Sequence, residues 1–481
     1  MTSYAISNPT VNGRPLVETA LVKAHIIAAL CFFIYGLLAG LVFALQFHNL
    51  YPFVGVEELS PGRVRMTHTT AVAYGFLVNG FMAGLHWVVP RLTRRPTLSK
   101  NLGWFVFMGW QLSLVVGLLG ILAGHAQAIE WAEIPTYVDP FVVVTAAALA
   151  ANFLPAIWRL GKGGPLYVTL WYFTAGFIWL ALTYIMGNYF PQWLIPGSGG
   201  AAITGLFIHD LVGLFLTPMG WGLMYYFVPT MLNRPMWSHA VSLIGFWGLA
   251  FFYPLNGVHH YLYSTIPMFA QYSAVIATVG VELVVMTVFI NFFVTLRGSG
   301  SALRDSLPIR WFFVGMIFYM TTCVQCAYQV TLSAQEIIHF TDWVVGHAHL
   351  VMFGVFGLWV LGIFTELWPR LVGRPWWSHR ALEWHFWLTA LGMFFMFVAL
   401  VAGGLVQGFV QKGLNPWEDY VSMSRPFWGV RIFTGLMILM GQVIFIINMV
   451  KTARSPKPVE AAAVRAEGAV APASSVATGV A

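Results

Sequence analysis

The segment Asp342–Gly354, "DWVVGHAHLVMFG", puts His347 and His349 into an otherwise almost wholly apolar run. Imidazole groups are costly to bury in hydrocarbon, so those found in membrane segments usually serve a function. On an α-helix, residues i and i+2 point roughly 200° apart. His347 and His349 therefore face opposite sides of a regular helix and cannot share one metal ion. The segment predicts a transmembrane helix that serves two separate metal centres.

The composition of the whole chain is that of a membrane protein. Of its 481 residues, 59% are hydrophobic and 9% are charged, whereas roughly a quarter of the residues in soluble proteins are charged. We predict an all-α polytopic membrane protein with twelve transmembrane helices. These spans are placed at residues 24–46, 66–90, 103–123, 138–160, 165–187, 200–228, 238–262, 268–296, 308–332, 340–368, 380–408 and 427–450.

The twelve spans form one membrane domain, residues 24–451, between two polar ends. Residues 1–23 are predicted to be a cytoplasmic N-terminal tail. Residues 452–481, rich in Ala, Pro and Ser and lacking aromatic residues, are predicted to be a disordered cytoplasmic tail. No internal repeat is visible by eye.

The distribution of basic residues predicts the orientation of the spans. The loops after spans 2, 4, 6, 8 and 10 carry Lys and Arg, whereas the loops after spans 3, 5, 7 and 9 carry none. Because basic loops stay in the cytoplasm, both termini are predicted to lie there, and we call that side the inner side. The net charge of +7 resides in these short loops, so we expect the lipid bilayer, and no nucleic acid, as a partner.

With this orientation, six histidines from four spans fall in the outer half of the membrane: His68, His209, His259, His260, His347 and His349. A lone membrane histidine more often hydrogen-bonds a neighbouring helix, but the convergence of six favours metal ligands. Imidazole binds both haem iron and copper. His259 and His260 point about 100° apart on a regular helix, so a shared metal requires a distortion. Pro254 and Gly257 provide one.

The pattern of histidines resembles the catalytic subunit of haem-copper oxidases, most closely the C-family or cbb-type enzymes. The resemblance rests on "PGRVRMTHTTAVAYGF" in span 2, "YPLNGVHHYLY" in span 7, "HFTDWVVGHAHL" in span 10 and "RPFWGVRIFTG" in span 12. It covers most of the chain, and six histidines in this order and spacing are a specific signal. It implies the haem-copper oxidase subunit I fold.

The resemblance also implies three cofactors and their ligands. A low-spin haem b is expected between His68 and His349, and a high-spin haem, also b-type, on His347. Copper (CuB) is expected on His209, His259 and His260. Tyr253 matches the tyrosine that such enzymes cross-link to the copper-binding histidine of span 6. Arg431 resembles the arginine that pairs with haem propionates.

The function implied is that of a respiratory terminal oxidase, which reduces O2 to water and takes up protons from the cytoplasm. Tyr225, Ser242 and Tyr253 resemble its proton route, and Glu282 is a further candidate member. The chain has no haem-attachment motif, so a membrane-anchored c-type cytochrome is expected as electron donor, with quinol left open. The location implied is a bacterial-type inner membrane. Cys323 and Cys326 are expected to be buried thiols.

Two departures from the C-family pattern keep an alternative open. Gln325 stands where the C-family carries a glutamate, and Glu282 is an extra carboxyl in span 8. Both favour the related nitric oxide reductases, which hold non-haem iron in place of copper, and "EWAEIPT" (residues 130–136) also resembles those enzymes. They carry glutamates where this chain has Gly213 and Thr217, however, and they lack Tyr253. A remote alternative is a non-enzymatic haem or metal transporter.

Overall fold

A computed structural model describes residues 8–456 and contains twelve helices long and apolar enough to cross a membrane. The twelve predicted spans are therefore confirmed. They are Thr19–His48, Pro61–Thr93, Lys100–Leu122, Thr136–Gly161, Val168–Leu194, Gly197–Leu232, His239–Tyr261, Met268–Leu296, Leu307–Gln329, Asp342–Val372, His379–Lys412 and Trp417–Arg454. The last helix extends three residues beyond the predicted domain end. The rest of the predicted C-terminal tail, from residue 457, lies outside the described residues, as do residues 1–7.

Little structure lies outside the spans. A short antiparallel pair, Thr10–Val11 with Arg14–Pro15, precedes span 1. Short helices Glu57–Leu59, Gly300–Asp305 and Leu332–Ile338 occupy loops. Spans 2 and 10 are the most enclosed, because 94% and 89% of the residues in their most apolar windows are buried. The two spans with three of the six histidines thus run through the centre of the bundle.

The structure reveals a threefold internal repeat that inspection of the sequence by eye did not find. The same segment occurs at the inner ends of spans 2, 6 and 10. It contains a proline, then a residue in the left-handed backbone conformation, then an Arg-Pro pair, and finally a serine that caps the next span. The prolines are Pro90, Pro229 and Pro369, and the left-handed residues are Arg94, Asn233 and Gly373. The capping serines are Ser99, Ser238 and Ser378, whose hydroxyls each accept a backbone N–H three residues on.

Each repeat is closed by the same long-range hydrogen bond. The backbone N–H of the capping serine donates to an asparagine side chain on the following span: Ser99 to Asn152 at 2.9 Å, Ser238 to Asn291 at 3.0 Å and Ser378 to Asn448 at 3.1 Å. Because buried backbone donors need hydrogen-bond partners, these asparagines stabilise the conformation of the loop in each repeat.

A π-helical turn interrupts the same span of each repeat. These turns are Ala71–Leu77, Leu211–Leu216 and Leu350–Gly357. Each begins within three residues after a candidate ligand histidine, at His68, His209 or His347 and His349. Single π-helical turns commonly mark functional sites because they redirect the side chains around them.

Span 7 has the distortion that the sequence predicts. Its α-helix ends at Phe252 and continues as two 3₁₀ segments, Tyr253–Leu255 and Gly257–Tyr261. Gly257 allows span 7 to approach span 6 closely, since a Cβ there would lie 2.5 Å from Leu206 Cα. The 3₁₀ segments turn the two consecutive histidines of span 7 toward span 6.

Candidate metal and haem sites

Three histidines from spans 6 and 7 converge on one point. One ring nitrogen from each of His209, His259 and His260 lies within 4.8 Å of the others. His209 Nδ1 is 3.1 Å from His260 Nε2. Two ligands that bind one ion at about 2 Å lie about 3 to 4 Å apart. The cluster therefore has the dimensions of a three-imidazole metal site.

Hydrogen bonds fix which nitrogen of His259 is available. The Thr278 hydroxyl donates to the Ala274 carbonyl at 2.7 Å. It must therefore accept at its 2.7 Å contact with His259 Nδ1. The hydrogen of the His259 ring is then on Nδ1, and Nε2, which is buried and has no partner among the described residues, keeps its lone pair for a metal. Thr278 was not predicted, because a threonine in a membrane helix is ordinarily a packing residue.

Tyr253 lies directly against this cluster. Its ring is 4.6 Å from the His209 ring, with planes 17° apart. The ring occupies the space beside Gly213, one helical turn after His209 on span 6, so that a side chain at position 213 would overlap it. The predicted proximity of Tyr253 to the span-6 histidine is thus present in the structure.

His347 faces span 9 and the three-histidine cluster. Its Nδ1 is 3.2 Å from Gln325 Oε1, and its Nε2 is 3.7 Å from Cys326 Sγ. The amide oxygen can only accept, so Nδ1 donates and Nε2 remains available as a ligand atom. His347 is close enough to His209 and His260 for electrostatic interaction. Gln325, a departure from the expected glutamate, is therefore in direct contact with His347.

His349 lies on the opposite side of span 10, as helical geometry predicts. Its ring faces that of His68, with centroids 6.1 Å apart and planes 22° apart. Two imidazoles that bind one metal from opposite sides have centroids about 6 Å apart, given metal–nitrogen bonds of about 2 Å. Both Nδ1 atoms are bonded to carbonyl oxygens, His68 to Gly36 at 2.7 Å and His349 to Val345 at 2.8 Å.

His68 and His349 line one cavity together with apolar side chains such as Phe353 and Met396. Arg431 lines the cavity, its side chain is 8% exposed, and it lies over the ring of Phe47. The guanidinium also interacts electrostatically with Asp342, whose carboxylate accepts hydrogen bonds from Trp428 and Gln407. The cavity thus has one cation, as expected for a haem that carries propionates.

The predicted proton-route residues are only partly connected. The Tyr225 hydroxyl is buried without a well-formed hydrogen bond in the described part of the chain, although the Asn291 side chain lies nearby. The Ser242 hydroxyl donates to the carbonyl of His239 at 2.6 Å and not to Tyr225 or Tyr253. Sequence analysis did not identify Tyr319, which interacts electrostatically with Tyr253. The structure therefore does not join these hydroxyls into one continuous chain.

Glu282 reaches the same region from span 8. It interacts electrostatically with Tyr253, and its carboxyl group faces the thiols of Cys323 and Cys326. Cys323 is a buried free thiol, as expected, whereas the free thiol Cys326 is only partly buried. The carboxyl therefore lies close to Tyr253, whose ring contacts His209 of the three-histidine cluster.

Comparison with known protein families supports a single classification. The profile of the family described as cytochrome c and quinol oxidase polypeptide I matches residues 20–454. The chain is 31% identical to cytochrome c oxidase subunit 1 of Rhodobacter capsulatus, over 91% of this chain and 86% of that protein. It is 27% identical to the cbb3-type cytochrome c oxidase subunit CcoN1 of Stutzerimonas stutzeri, over 89% and 93%.

Two more distant similarities concern the nitric oxide reductase alternative and the fold. The chain is 23% identical to a nitric oxide reductase subunit of Stutzerimonas stutzeri, over 92% of this chain and 97% of that protein. A solved structure of a haem-copper terminal oxidase dimer superposes with a TM-score of 0.78, covers 92% of this chain and 85% of its own, and is 14% identical. At that identity the superposition shows a common fold.

Proposed function

Because the chain belongs to the family of cytochrome c and quinol oxidase polypeptide I, the catalytic subunits of haem-copper oxidases, we propose that it reduces O2 to water. The chain is an oxidoreductase and a multi-pass membrane protein of this family. The transporter alternative is therefore set aside. The finer proposal is a cbb-type terminal oxidase with a high-spin haem and CuB, which receives electrons from a low-spin haem b.

The relation between Tyr253 and Gly213 carries the proposal for oxygen. The Tyr253 ring fills the space that a side chain at position 213 would occupy. The nitric oxide reductases that this chain resembles carry a glutamate at this position. In this backbone, a glutamate at position 213 and a tyrosine at position 253 cannot both be accommodated. The chain has the tyrosine, which can supply a proton and an electron when the O–O bond breaks.

The residues present fit the three cofactors that we propose. His209, through Nδ1, and His259 and His260, through Nε2, would hold copper. His347 would hold the high-spin haem, and His68 and His349 the low-spin haem b. When bound, these groups supply the redox chemistry. The chain itself fixes the ligand atoms through Thr278, Gln325 and backbone carbonyls, which orient the imidazoles before any metal binds.

The proposed electron path follows from the two faces of span 10. His347 and His349 are separated only by Ala348, so the two haem sites share one short stretch of helix. Electrons would reach the His68–His349 side first, where Arg431 would balance the charge of haem propionates. We propose that a membrane-anchored c-type cytochrome delivers them.

Protons for water formation would come from the inner side, where positive loops place the cytoplasm. Tyr225, Ser242 and Tyr253 remain the proposed route, with Tyr319 added beside Tyr253. Glu282 is a further proposed member, because it interacts with both Tyr253 and Tyr319. Water molecules are needed to bridge the hydroxyls, since Ser242 bonds only to its own helix.

Nitric oxide reduction at a haem and non-haem iron centre is the second candidate. Glu282 and Gln325 favour it, as does the similarity to a nitric oxide reductase of Stutzerimonas stutzeri. In this alternative the three-histidine cluster would bind iron. Gly213 opposes it, because it leaves span 6 without the extra carboxylate ligand.

One experiment separates the two candidates. The complex is purified, its copper and iron are counted, and its turnover is measured with O2 and with nitric oxide. Copper in equimolar amount to the chain, with faster turnover of O2, is expected. Non-haem iron without copper, together with faster turnover of nitric oxide, would overturn the proposal.

Tyr253→Phe tests the tyrosine directly. The ring remains, so packing beside Gly213 is preserved, while the hydroxyl is lost. We expect copper content to be retained and O2 turnover to be largely lost. Oxygen turnover equal to the wild type would remove Tyr253 from the mechanism.

A further inference from the structure

We propose that the inner ends of spans 1 to 4 contain a hydrated, proton-exchanging site built on His25 and His86. Both side chains are buried, with exposures of 0% and 1%. Their rings lie 5.6 Å apart with planes 21° apart. His86 belongs to the first repeat, apart from the Tyr225 route in the second, and His25 faces it from span 1. The proton role rests on the proposed oxidase function, whereas the water site does not.

The hydrogen-bond network fixes the tautomer of His25. Asn79 Nδ2 donates to the Gly75 carbonyl at 2.8 Å, which identifies the other amide atom as the oxygen. That oxygen accepts from Gln111 Nε2 at 2.8 Å and contacts His25 Nδ1 at 2.9 Å. His25 Nδ1 therefore carries the hydrogen. Its Nε2 is a bare lone pair, buried and without a partner among residues 8–456.

Further unpartnered polar atoms lie in the same region. Both ring nitrogens of His86 are buried without a hydrogen bond in the described chain. Asn152 Nδ2 is also unpartnered, and its other amide atom accepts from Ser99 N–H. A Cβ at Gly103 would be 2.7 Å from Leu21 Cδ1, 3.3 Å from His86 Cε1 and 3.4 Å from Asn152 Nδ2. The glycine therefore lets span 3 pack closely where Leu21, His86 and Asn152 meet.

The threefold repeat shows that this arrangement is a departure from a common pattern. In the second and third repeats, Asn291 Nδ2 and Asn448 Nδ2 donate to a serine carbonyl at 2.8 and 2.9 Å. Asn152 lacks this bond and turns Nδ2 toward His86. His86 itself stands four residues before the loop proline, the position that Tyr225 occupies in the second repeat. The first repeat thus has an imidazole where the second has the proposed proton-route hydroxyl.

Water is the ligand that fits these groups. The donors and acceptors would each lose hydration on burial without a replacement bond, and a buried water typically makes about three hydrogen bonds. One water can accept from Asn152 Nδ2 and donate to His25 Nε2. The other neighbours of the rings, Phe107 and Phe153, are apolar.

A water beside two imidazoles can exchange protons with the inner surface. The Thr97 hydroxyl, buried and unpartnered in the described structure, is next to Leu98, whose N–H donates to the Asn152 carbonyl. Charged groups at the inner mouth are Arg14, whose guanidinium donates to the carbonyls of Thr97 and Leu98 at 3.1 and 3.2 Å, and the pair Glu18 and Lys100, 4.0 Å apart. When His25 Nε2 accepts a proton, Nδ1–H keeps its hydrogen bond to the Asn79 oxygen. The imidazolium then releases the proton from Nε2. The site is therefore a reversible proton store.

The test uses the purified complex in lipid vesicles, with protons translocated per electron as the readout. His86→Leu removes both unpartnered nitrogens. We expect O2 turnover within about twofold of the wild type and a loss of at least about twofold in protons per electron. The matched control is Thr365→Val, the equivalent position in the third repeat, where neither quantity should change. Unchanged protons per electron in His86→Leu would overturn the proton role.

A second measurement is independent of the variant and of the oxidase proposal. Electron cryomicroscopy of the wild-type complex, at a resolution that shows ordered water, should reveal a peak about 3 Å from His25 Nε2 and from a His86 nitrogen. An empty gap would refute the water site. A peak at about 2 Å, with one additional transition metal per chain, would refute it in favour of a metal site. If the wild-type complex did not consume O2, the proposed oxidase function would be refuted. A water observed beside His25 would still support the water site.

Discussion

Replacing Gly213 by alanine tests how Tyr253 and span 6 share space. A Cβ built at position 213 would lie 1.6 Å from Tyr253 Cε1, whereas unbonded carbon atoms approach to about 3.5 Å. The Tyr253 ring must therefore move by about 2 Å. Its ring is stacked on His209 at 4.6 Å, so the movement separates the hydroxyl from its position beside the metal cluster.

The expected cost follows from that displacement. A misplacement of about 1 Å can lower a rate by about 100-fold, which corresponds to about 2.7 kcal/mol of transition-state stabilisation. Overpacking a core with one methyl group costs about 1–3 kcal/mol of folding stability. We therefore expect a folded Gly213→Ala complex with O2 turnover reduced about 100-fold or more.

The assay is O2 consumption by the purified complex, with copper content and the optical spectrum of the low-spin haem measured on the same sample. His68 and His349 lie on the other side of span 10, so the low-spin spectrum should not change. Gly161→Ala is the control, because its nearest neighbour would be Leu166 at 3.5 Å. Normal turnover in a fully metallated Gly213→Ala complex would refute the placement of Tyr253.

Three further predictions concern single contacts. Thr278→Val should lower copper affinity about 10- to 100-fold by freeing the His259 tautomer, measured as copper retained during dialysis, whereas Thr278→Ser should retain it. Gly40→Ala, whose Cβ would lie 2.7 Å from His68 Nδ1, should abolish the low-spin haem spectrum and leave copper in place. Burial raises the pKa of Glu133 from 4.5 to about 7. As pH rises between these two values, the carboxyl ionises in the unfolded chain before it ionises in the folded one, so the free energy of unfolding of the wild type falls. Glu133→Gln should therefore gain about 3 kcal/mol relative to the wild type between about pH 5 and about pH 8, measured by chemical unfolding.

Sequence analysis identified the histidines because their chemistry stands out against apolar spans. The opposed directions of His347 and His349 follow from helical pitch alone, and both directions are present in the structure. The distortion at His259 was also predictable, since Pro254 and Gly257 weaken the helix. What these positions share is a local signal that needs no knowledge of neighbouring spans.

Residues whose role depends on a distant partner were not found. Thr278 hydrogen-bonds His259 from the neighbouring span, but its sequence context is that of any packing threonine. The threefold repeat was also missed, because its ten-residue loops lie roughly 140 residues apart and the spans between them differ in sequence. The loops share only a proline, an Arg-Pro pair and a serine, and the asparagine bond that closes each repeat comes from a distant span.

The repeat creates three structurally equivalent positions that carry three different side chains. The loop proline, the left-handed cap and the capping serine recur at equal spacing, so the residue four positions before the proline occupies the same place in each repeat. That residue is His86, Tyr225 or Thr365. Thr365 bonds to the Leu361 carbonyl at 2.7 Å and is satisfied within its own helix, whereas the polar side-chain atoms of His86 and Tyr225 have no well-formed hydrogen bond in the described residues. Because a buried unpartnered group is retained only where something offsets its cost, we propose that water binds at this position in the first two repeats and not at Thr365 in the third.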